Sequence, residues 1–484
     1  ELQKAYHLRE NVNPRDDWQY SHHLETLLVS LTEEGRYVEP HTVVAECEKR
    51  NYQLRNPFFR LYLAERNYDE ALRIAAEVGR GGKGSRRGRT GRSDKVLAAY
   101  YSALVYLKKG EPARALPEIE VLQHKLHRNY VTTMAGRASF DGPHRIRVQT
   151  EDDDEKVVHG EVILIATGSR PLRPANVPFD GISIVDSDEI LRMQDLPRNL
   201  VVVGAGVIGM EYASIFNALD IHVTVVDGRD EIMGFLDREI VDEFVHHLRD
   251  RGVSLRLGET VASVERVKRH HVRVNLASGK RLRADMVLFA SGRCANTDTL
   301  RLENAGLTPD DKGRLRVDAY LRTAVPHIYA AGDVIGFPAL ASTSMEQGRQ
   351  AACHAFNGPL LAESQCPSPY GIYAVPEMSV VGKTEEELRA ERIPYESGIA
   401  RFRETSRGQI LGLREGLLKL LFHLEDRRLL GVHIVGEGAT ELVHIGQAVL
   451  AHHGRLDYFV NAVFNYPTLA EAYKVAALDA YNKM

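Results

Sequence analysis

The hydrophobic rhythm of the chain changes near Pro117. Upstream, apolar residues recur at helical spacing, as in Phe58, Leu61, Leu63, Tyr68, Leu72 and Ala75, and again in Leu97, Tyr100, Leu104, Tyr106, Ala113 and Leu116. That spacing predicts antiparallel helix pairs over residues 1–116. Downstream, short apolar runs of strand length alternate with helix-like stretches, the order expected of parallel α/β domains. The run at 162–165 leads into Ala166, Thr167 and Gly168, and the run at 286–289 leads into Ala290, Ser291 and Gly292. The shared ending, a strand and then a glycine, predicts two related nucleotide-binding units that close near residues 170 and 293. Beyond about Cys366 the pattern is mixed and finishes in helices.

Composition narrows the class. With 484 residues, 44% of them hydrophobic, the chain has material for several domains, each with its own core. A formal net charge of −4 gives no electrostatic reason to expect nucleic acid or an anionic membrane as partner. No apolar run reaches the ~18 residues that a bilayer requires. The four cysteines, Cys47, Cys294, Cys353 and Cys366, form no close pair of the metal-binding or redox kind, which points to a reducing, cytoplasmic compartment. His444 and His452 lack a neighbouring ligand set, so no metal site is expected. Residues 80–92 carry six basic residues and no acid among glycines, the composition of a solvated connector. Segments 67–72 and 110–116 loosely resemble the second-helix start of a tetratricopeptide repeat, but two weak copies do not make an array.

The strongest chemical signal follows the apolar run at 200–203: Gly204, Ala205, Gly206, Val207, Ile208 and Gly209, then a helical run over 210–217. Gly204 suits the tight turn, Gly206 lets a pyrophosphate approach the backbone, and Gly209 lets helix and strand pack closely. The helix N-terminus then offers its N–H groups to the phosphates. A second strand over 222–226 ends at Asp227, about 20 residues on, where a carboxylate can meet the adenosine ribose hydroxyls. Asp227 argues for NAD, while Arg229 could meet the 2′-phosphate of NADP, so the preference stays open. Residues 79–84 also spell GxGxxG, but they follow a helix and enter the basic loop, so the mechanical reason for the spacing is missing. A second signal is the short run at 327–333, which delivers Gly332 and Asp333 ahead of a helix-like stretch starting near Ala341. An acid at a strand end beside a helix N-terminus suits a polyhydroxyl chain and a nearby anionic group.

Together, the segments at 166–168, 204–213, 331–334 and 467–472 resemble the pyridine nucleotide-disulfide reductase superfamily. Within it, segments 336–341, 345–349, 371–373, 444–448 and 464–468 look like the Si-specific pyridine nucleotide transhydrogenase family, and the resemblance covers about 117–484. It implies an α/β fold of two dinucleotide-binding, Rossmann-like units plus an α+β dimerisation domain, preceded here by the helical segment 1–116. The FAD-binding part would be 117–195 and 325–365, the NAD(P)-binding part 196–324 and the dimerisation domain 366–484. It further implies a homo-oligomeric FAD enzyme that exchanges hydride between NADPH and NAD. On that reading Thr167, Gly168, Gly332, Asp333 and Ala341 lie along FAD, while Gly204, Gly206, Gly209, Glu211, Asp227 and Gly292 surround the nicotinamide dinucleotide. Tyr466, where disulfide reductases carry a histidine, and the missing thiol pair disfavour disulfide reduction.

The resemblance has one gap. The strand, glycine loop and acid that seat the FAD pyrophosphate are not visible in residues 1–116. Losing them forfeits several charge-assisted hydrogen bonds worth about 1.5–3 kcal/mol each. A nicotinamide-binding regulatory or scaffolding protein that has lost FAD and turnover, with the N-terminal helices holding a protein partner, is therefore the alternative.

Overall fold

The structure, a computed structural model, describes residues 126–150, 152–268, 271–358 and 367–484. The expected helix pairs of 1–116, the repeat-like segments, the basic loop 80–92, the glycine match at 79–84, Cys47 and Cys366 lie outside the described residues. The chain divides into two units, Glu1–Ala135 and Gly136–Met484, and the second carries everything described below.

It opens with an antiparallel meander, β1 (Arg137–Gly142), β2 (Arg145–Gln149) and β3 (Glu155–His159). Three short strands follow, β4 (Ile163–Ile165), β5 (Ser169–Pro171) and β6 (Ile184–Asp186). Then come β7 (Asn199–Val203), α1 (Val207–Ala218), β8 (His222–Asp227), α2 (Arg238–Asp250) and β9 (Ser254–Leu257). A second antiparallel meander, β10 (Val261–Lys268), β11 (His271–Leu276) and β12 (Arg281–Ala284), leads to β13 (Met286–Phe289). Strands β6, β13, β7, β8 and β9 form one parallel sheet in that order. Its central strands are apolar on both faces because both are covered: Leu200, Val201, Val202, Val287 and Leu288 are all essentially buried. Helix α2 seals one face with Ile240, Val241, Phe244 and Leu248, at the spacing of a helical stripe, and Asp237 caps its first turn by accepting from the Glu239 N–H.

The chain winds outward from β7 to β9 and then returns to the other side of β7 as β13. Strand order therefore reverses between β7 and β13, which leaves a crevice outside their carboxyl ends. Next, β14 (Arg293–Ala295) pairs antiparallel with β5, so the two glycine-containing strand endings lie side by side. Strand β15 (Ile328–Ala330) pairs in parallel with β4, and α3 (Ala341–Ala355) follows.

The C-terminal part is an antiparallel sheet of β16 (Tyr370–Ile372), β17 (Met378–Gly382), β18 (Tyr395–Arg401), β19 (Leu417–His423) and β20 (Leu429–Val435), ordered β16-β17-β20-β19-β18. Its helices are α4 (Glu385–Glu391), α5 (Ser406–Leu411), α6 (Ala439–Ala451), α7 (Leu456–Asn461) and α8 (Glu471–Lys483). Small residues let α8 lie almost against the sheet backbone: a Cβ on Gly398 of β18 would sit 1.9 Å from the Ala476 carbonyl oxygen. The core of the parallel sheet runs on into this domain through Ile372, Met378, Leu417 and Val435.

One polar cluster sits in that junction. Lys419 of β19 is 2% exposed, and its Nζ lies 2.9 Å from Asp237 Oδ1, 2.7 Å from Glu385 Oε1 and 3.1 Å from Glu239 Oε2. Burial alone would push the ammonium down, but the Asp237 and Glu385 carboxylates outweigh it and hold the group above the ordinary lysine value. His433 of β20, fully buried, is pushed the other way by burial. Removing the ammonium leaves the buried Asp237 carboxylate without its ion-pair partner, while Glu385 keeps its pairing with Arg389. Lys419→Met is accordingly expected to lower unfolding free energy by about 3–5 kcal/mol, read from urea denaturation. A change within experimental error would show that the cluster contributes nothing net.

Candidate functional site

The crevice beyond β7 and β13 is a cavity of about 830 Å³. Its floor is a turn in which backbone touches backbone. Gly204 has φ +114°, and a Cβ there would come within 2.5 Å of the Ala290 carbonyl oxygen at the end of β13. A Cβ on Gly209, in the first turn of α1, would come within 1.9 Å of the Gly204 carbonyl oxygen. Gly206 is different: a Cβ there meets nothing within 4 Å, because the position opens onto the crevice. As N-cap of α1 it has no side chain to satisfy the helix's first N–H groups, which precede the helix's own acceptors and face the same space.

Gly204, Gly206, Glu211, Asp227 and Gly292 all line this cavity, whereas Gly209 lies beneath it as packing. The Asp227 carboxylate is nearly buried and accepts from the Ala205 N–H at 2.6 Å and from the Arg229 side chain. Burial would raise its carboxyl, yet Arg229 and the backbone N–H groups hold it below the usual carboxylate range. Glu211, on α1, accepts from the Tyr373 N–H at 2.8 Å across 162 positions of sequence. Burial pushes the Glu211 carboxyl up, against that single bond. Tyr370 and Tyr373 also line the cavity, and Tyr370 stacks on Phe337 with ring centres 5.9 Å apart and meets Phe235 edge-on.

A second group of expected residues gathers at the carboxyl ends of β4 and β15. Gly168 has φ +70° and open space around it, and the Thr167 carbonyl accepts from Asn296 Nδ2 at 3.0 Å. The Gly332 N–H donates to Gln347 Oε1 at 2.8 Å. Asp333 Oδ2 accepts from Ser169 Oγ at 2.7 Å, and Ser169 Oγ accepts from Arg293 Nε at 2.7 Å. This relay ties the Asp333 carboxylate to both glycine endings. Ala341 begins α3 on a neighbouring cavity of about 580 Å³, which shares the wall Leu340, Gly371 and Tyr373 with the crevice. An oriented carboxylate, an open glycine turn and an uncapped helix N-terminus form a donor and acceptor set that fits the ribityl and ring end of a flavin dinucleotide.

Sequence reasoning missed Tyr370, Tyr373, Ser169 and Arg293. Tyr373 and Phe337 stand in segments that carried the family resemblance, but the pairings Glu211–Tyr373 and Ser169–Asp333 have no local signal. Tyr466 bonds Ser406 through its hydroxyl, and Glu471 accepts from the Arg407 N–H at 3.3 Å, so both serve the helix ends they adjoin. Among the described residues no cluster of metal-ligating groups occurs, and no helix is long and apolar enough to cross a membrane.

Residues 88–348 match the family model for pyridine nucleotide-disulphide oxidoreductases, and residues 368–477 match that family's dimerisation domain. A protein of Mycobacterium bovis named soluble pyridine nucleotide transhydrogenase is 53% identical over 370 residues, 76% of this chain and 78% of that protein. Its namesake in Pectobacterium atrosepticum is 47% identical over 360 residues, 74% and 77% of the two chains. Among solved structures, LpdA from Mycobacterium tuberculosis superimposes with a TM-score of 0.70 at 25% identity, covering 87% of this chain and 88% of that one. The HOCl-induced flavoprotein disulfide reductase RclA from Escherichia coli does so with a TM-score of 0.68 at 26% identity, covering 79% and 88%. The glycine crevice at the strand-order reversal and these matches agree: the chain belongs to the pyridine nucleotide-disulphide oxidoreductase family.

Proposed function

We propose that this chain exchanges hydride between NADPH and NAD through bound FAD, as a pyridine nucleotide transhydrogenase. The observation that carries the reading is that two kinds of binding element open to one space. The glycine turn of 204–209 floors the crevice, and residues 338–340, which lead into the N-terminus of α3, line the same crevice. The relatives' shared name supports the same reaction.

The flavin ring supplies the redox step, and the protein supplies binding and orientation. The turn amides and the α1 N-terminus bind the nicotinamide dinucleotide's pyrophosphate at Gly206, with Gly204 and Gly209 making the turn. Asp227 receives the adenosine end, and Gly292 lets the nucleotide pass close to the end of β13. Glu211 fixes the backbone of Tyr373, whose ring forms the wall between the two cavities. Thr167, Gly168, Gly332, Asp333 and Ala341 serve the flavin, and Asp333 is held for its hydroxyls by Ser169 and Arg293. Direct hydride transfer needs no protonated side chain, which fits a site whose buried carboxylates are occupied in orienting other groups.

On this reading 117–195 and 325–365 form the FAD-binding part, 196–324 the NAD(P)-binding domain and 366–484 the dimerisation domain of a homodimer or larger homo-oligomer. Residues 1–116 serve a protein partner, and the enzyme works in the cytoplasm.

Purified protein should show a flavin absorption band and transfer reducing equivalents from NADPH to thio-NAD. Nucleotide binding without turnover, even after reconstitution with FAD, would reject the reading in favour of a regulatory protein. The glycines separate binding from folding. Gly206→Ala should leave stability within about 0.5 kcal/mol yet weaken NAD(P)H binding at least about tenfold, since its methyl occupies the pyrophosphate's path. Gly209→Ala should cost about 1–3 kcal/mol or more through forced backbone shifts, measured by thermal unfolding. Equal behaviour of the two variants would contradict the assignment.

A further inference from the structure

Asp227 stands at the rim of the crevice with its carboxylate saturated. Oδ2 accepts from the Ala205 N–H at 2.6 Å and from Arg229 Nη2 at 2.7 Å. Oδ1 accepts from the Arg229 N–H at 2.8 Å and from Arg229 Nε at 3.0 Å. A carboxylate offers about four lone-pair positions, and all are taken. As it stands, the group has no place for a ribose diol. Two of the four donors belong to the guanidinium, one on each oxygen. If the guanidinium leaves, each oxygen regains one position, the number that a vicinal diol fills, while the two backbone donors keep the carboxylate aimed.

Arg229 is free to make that move. Its side chain is 64% exposed and lines the crevice, so rotation outward disturbs no core packing. A 2′-phosphate sets the opposite requirement, because it brings negative charge beside a carboxylate that stays ionised. A guanidinium has five N–H donors, and Asp227 engages two of them, so the rest of the fork can take a phosphate without releasing the carboxylate.

We infer that Arg229 is a two-position reader: it leaves Asp227 to the ribose diol of NAD and stays between Asp227 and the 2′-phosphate of NADP, so one crevice accepts both nucleotides. The inference rests on the reading that both nucleotides use this crevice. Neither residue alone accounts for this. A free Asp227 repels the phosphate, and a permanently paired Arg229 blocks the diol. If the pair had no part in reading the nucleotide, a change at Arg229 would alter the binding of both nucleotides alike.

Calorimetric titration of the full-length, FAD-loaded protein with ADP and with 2′,5′-ADP separates these cases without measuring turnover. Arg229→Ala should weaken 2′,5′-ADP by about tenfold to a hundredfold, the loss of one or two charge-assisted contacts, while ADP binding holds or tightens. Arg229→Lys, which keeps the charge and loses the fork, should weaken 2′,5′-ADP by less and leave ADP unchanged, and it guards against misfolding of the alanine variant. Parallel loss of both probes in either variant, or an unchanged 2′,5′-ADP affinity in Arg229→Ala, overturns the inference. If the selectivity shift appears but NADPH-to-thio-NAD exchange is absent, the transhydrogenase reading fails and the reader stands. Exchange without the shift fails the reader alone.

Discussion

Two contacts that leave no room for a side chain hold the site together: the carbonyl of Ala290 against Gly204, and the carbonyl of Gly204 against Gly209. They bring the ends of β7 and β13 and the start of α1 to within backbone distance. Everything chemical in the crevice is measured from that point. The α1 N–H groups face outward because the turn aims them, Glu211 reaches Tyr373 because α1 starts where it does, and Asp227 fastens the turn through the Ala205 N–H. A larger residue at either position would move all three.

The second half of the site depends on the first through a pairing that joins the two strand endings. Strands β5 and β14 lie antiparallel, which sets Arg293 beside Ser169 and Ser169 beside Asp333. The carboxylate assigned to the flavin is thus oriented by a residue that follows Gly292, at the nicotinamide side. Geometry in one nucleotide region is transmitted to the other by two hydrogen bonds of ordinary length.

Where structure is governed locally, the sequence was readable. The run at 200–203 became Asn199–Val203, the helix expected over 210–217 became Val207–Ala218, and the strand ending at Asp227 became His222–Asp227. Apolar runs and a glycine turn determine these elements within about twenty residues of chain. The strand before Asp333 and the helix at Ala341 were legible for the same reason. What could not be read depends on contacts between distant positions. Glu211 meets Tyr373 only because the C-terminal sheet packs on α1, and Ser169 meets Asp333 across 164 residues. Lys419, inside a run of leucines, has the appearance of a solvent-facing position on a half-buried strand. It is buried because the α2 cap and the start of α4 bring acids to it.

That lysine also constrains how the protein can move. Parting the parallel-sheet domain from the C-terminal sheet would pull a buried ammonium away from the Asp237 and Glu239 carboxylates, a separation that costs free energy and opposes opening at this seam. Beside the crevice the less constrained groups are aromatic rings, for Phe337 and Tyr373 are about two-thirds exposed. Exposed side chains change rotamer in picoseconds to nanoseconds, whereas domain hinge motions take microseconds to milliseconds, so these rings are the fast border of a slow scaffold.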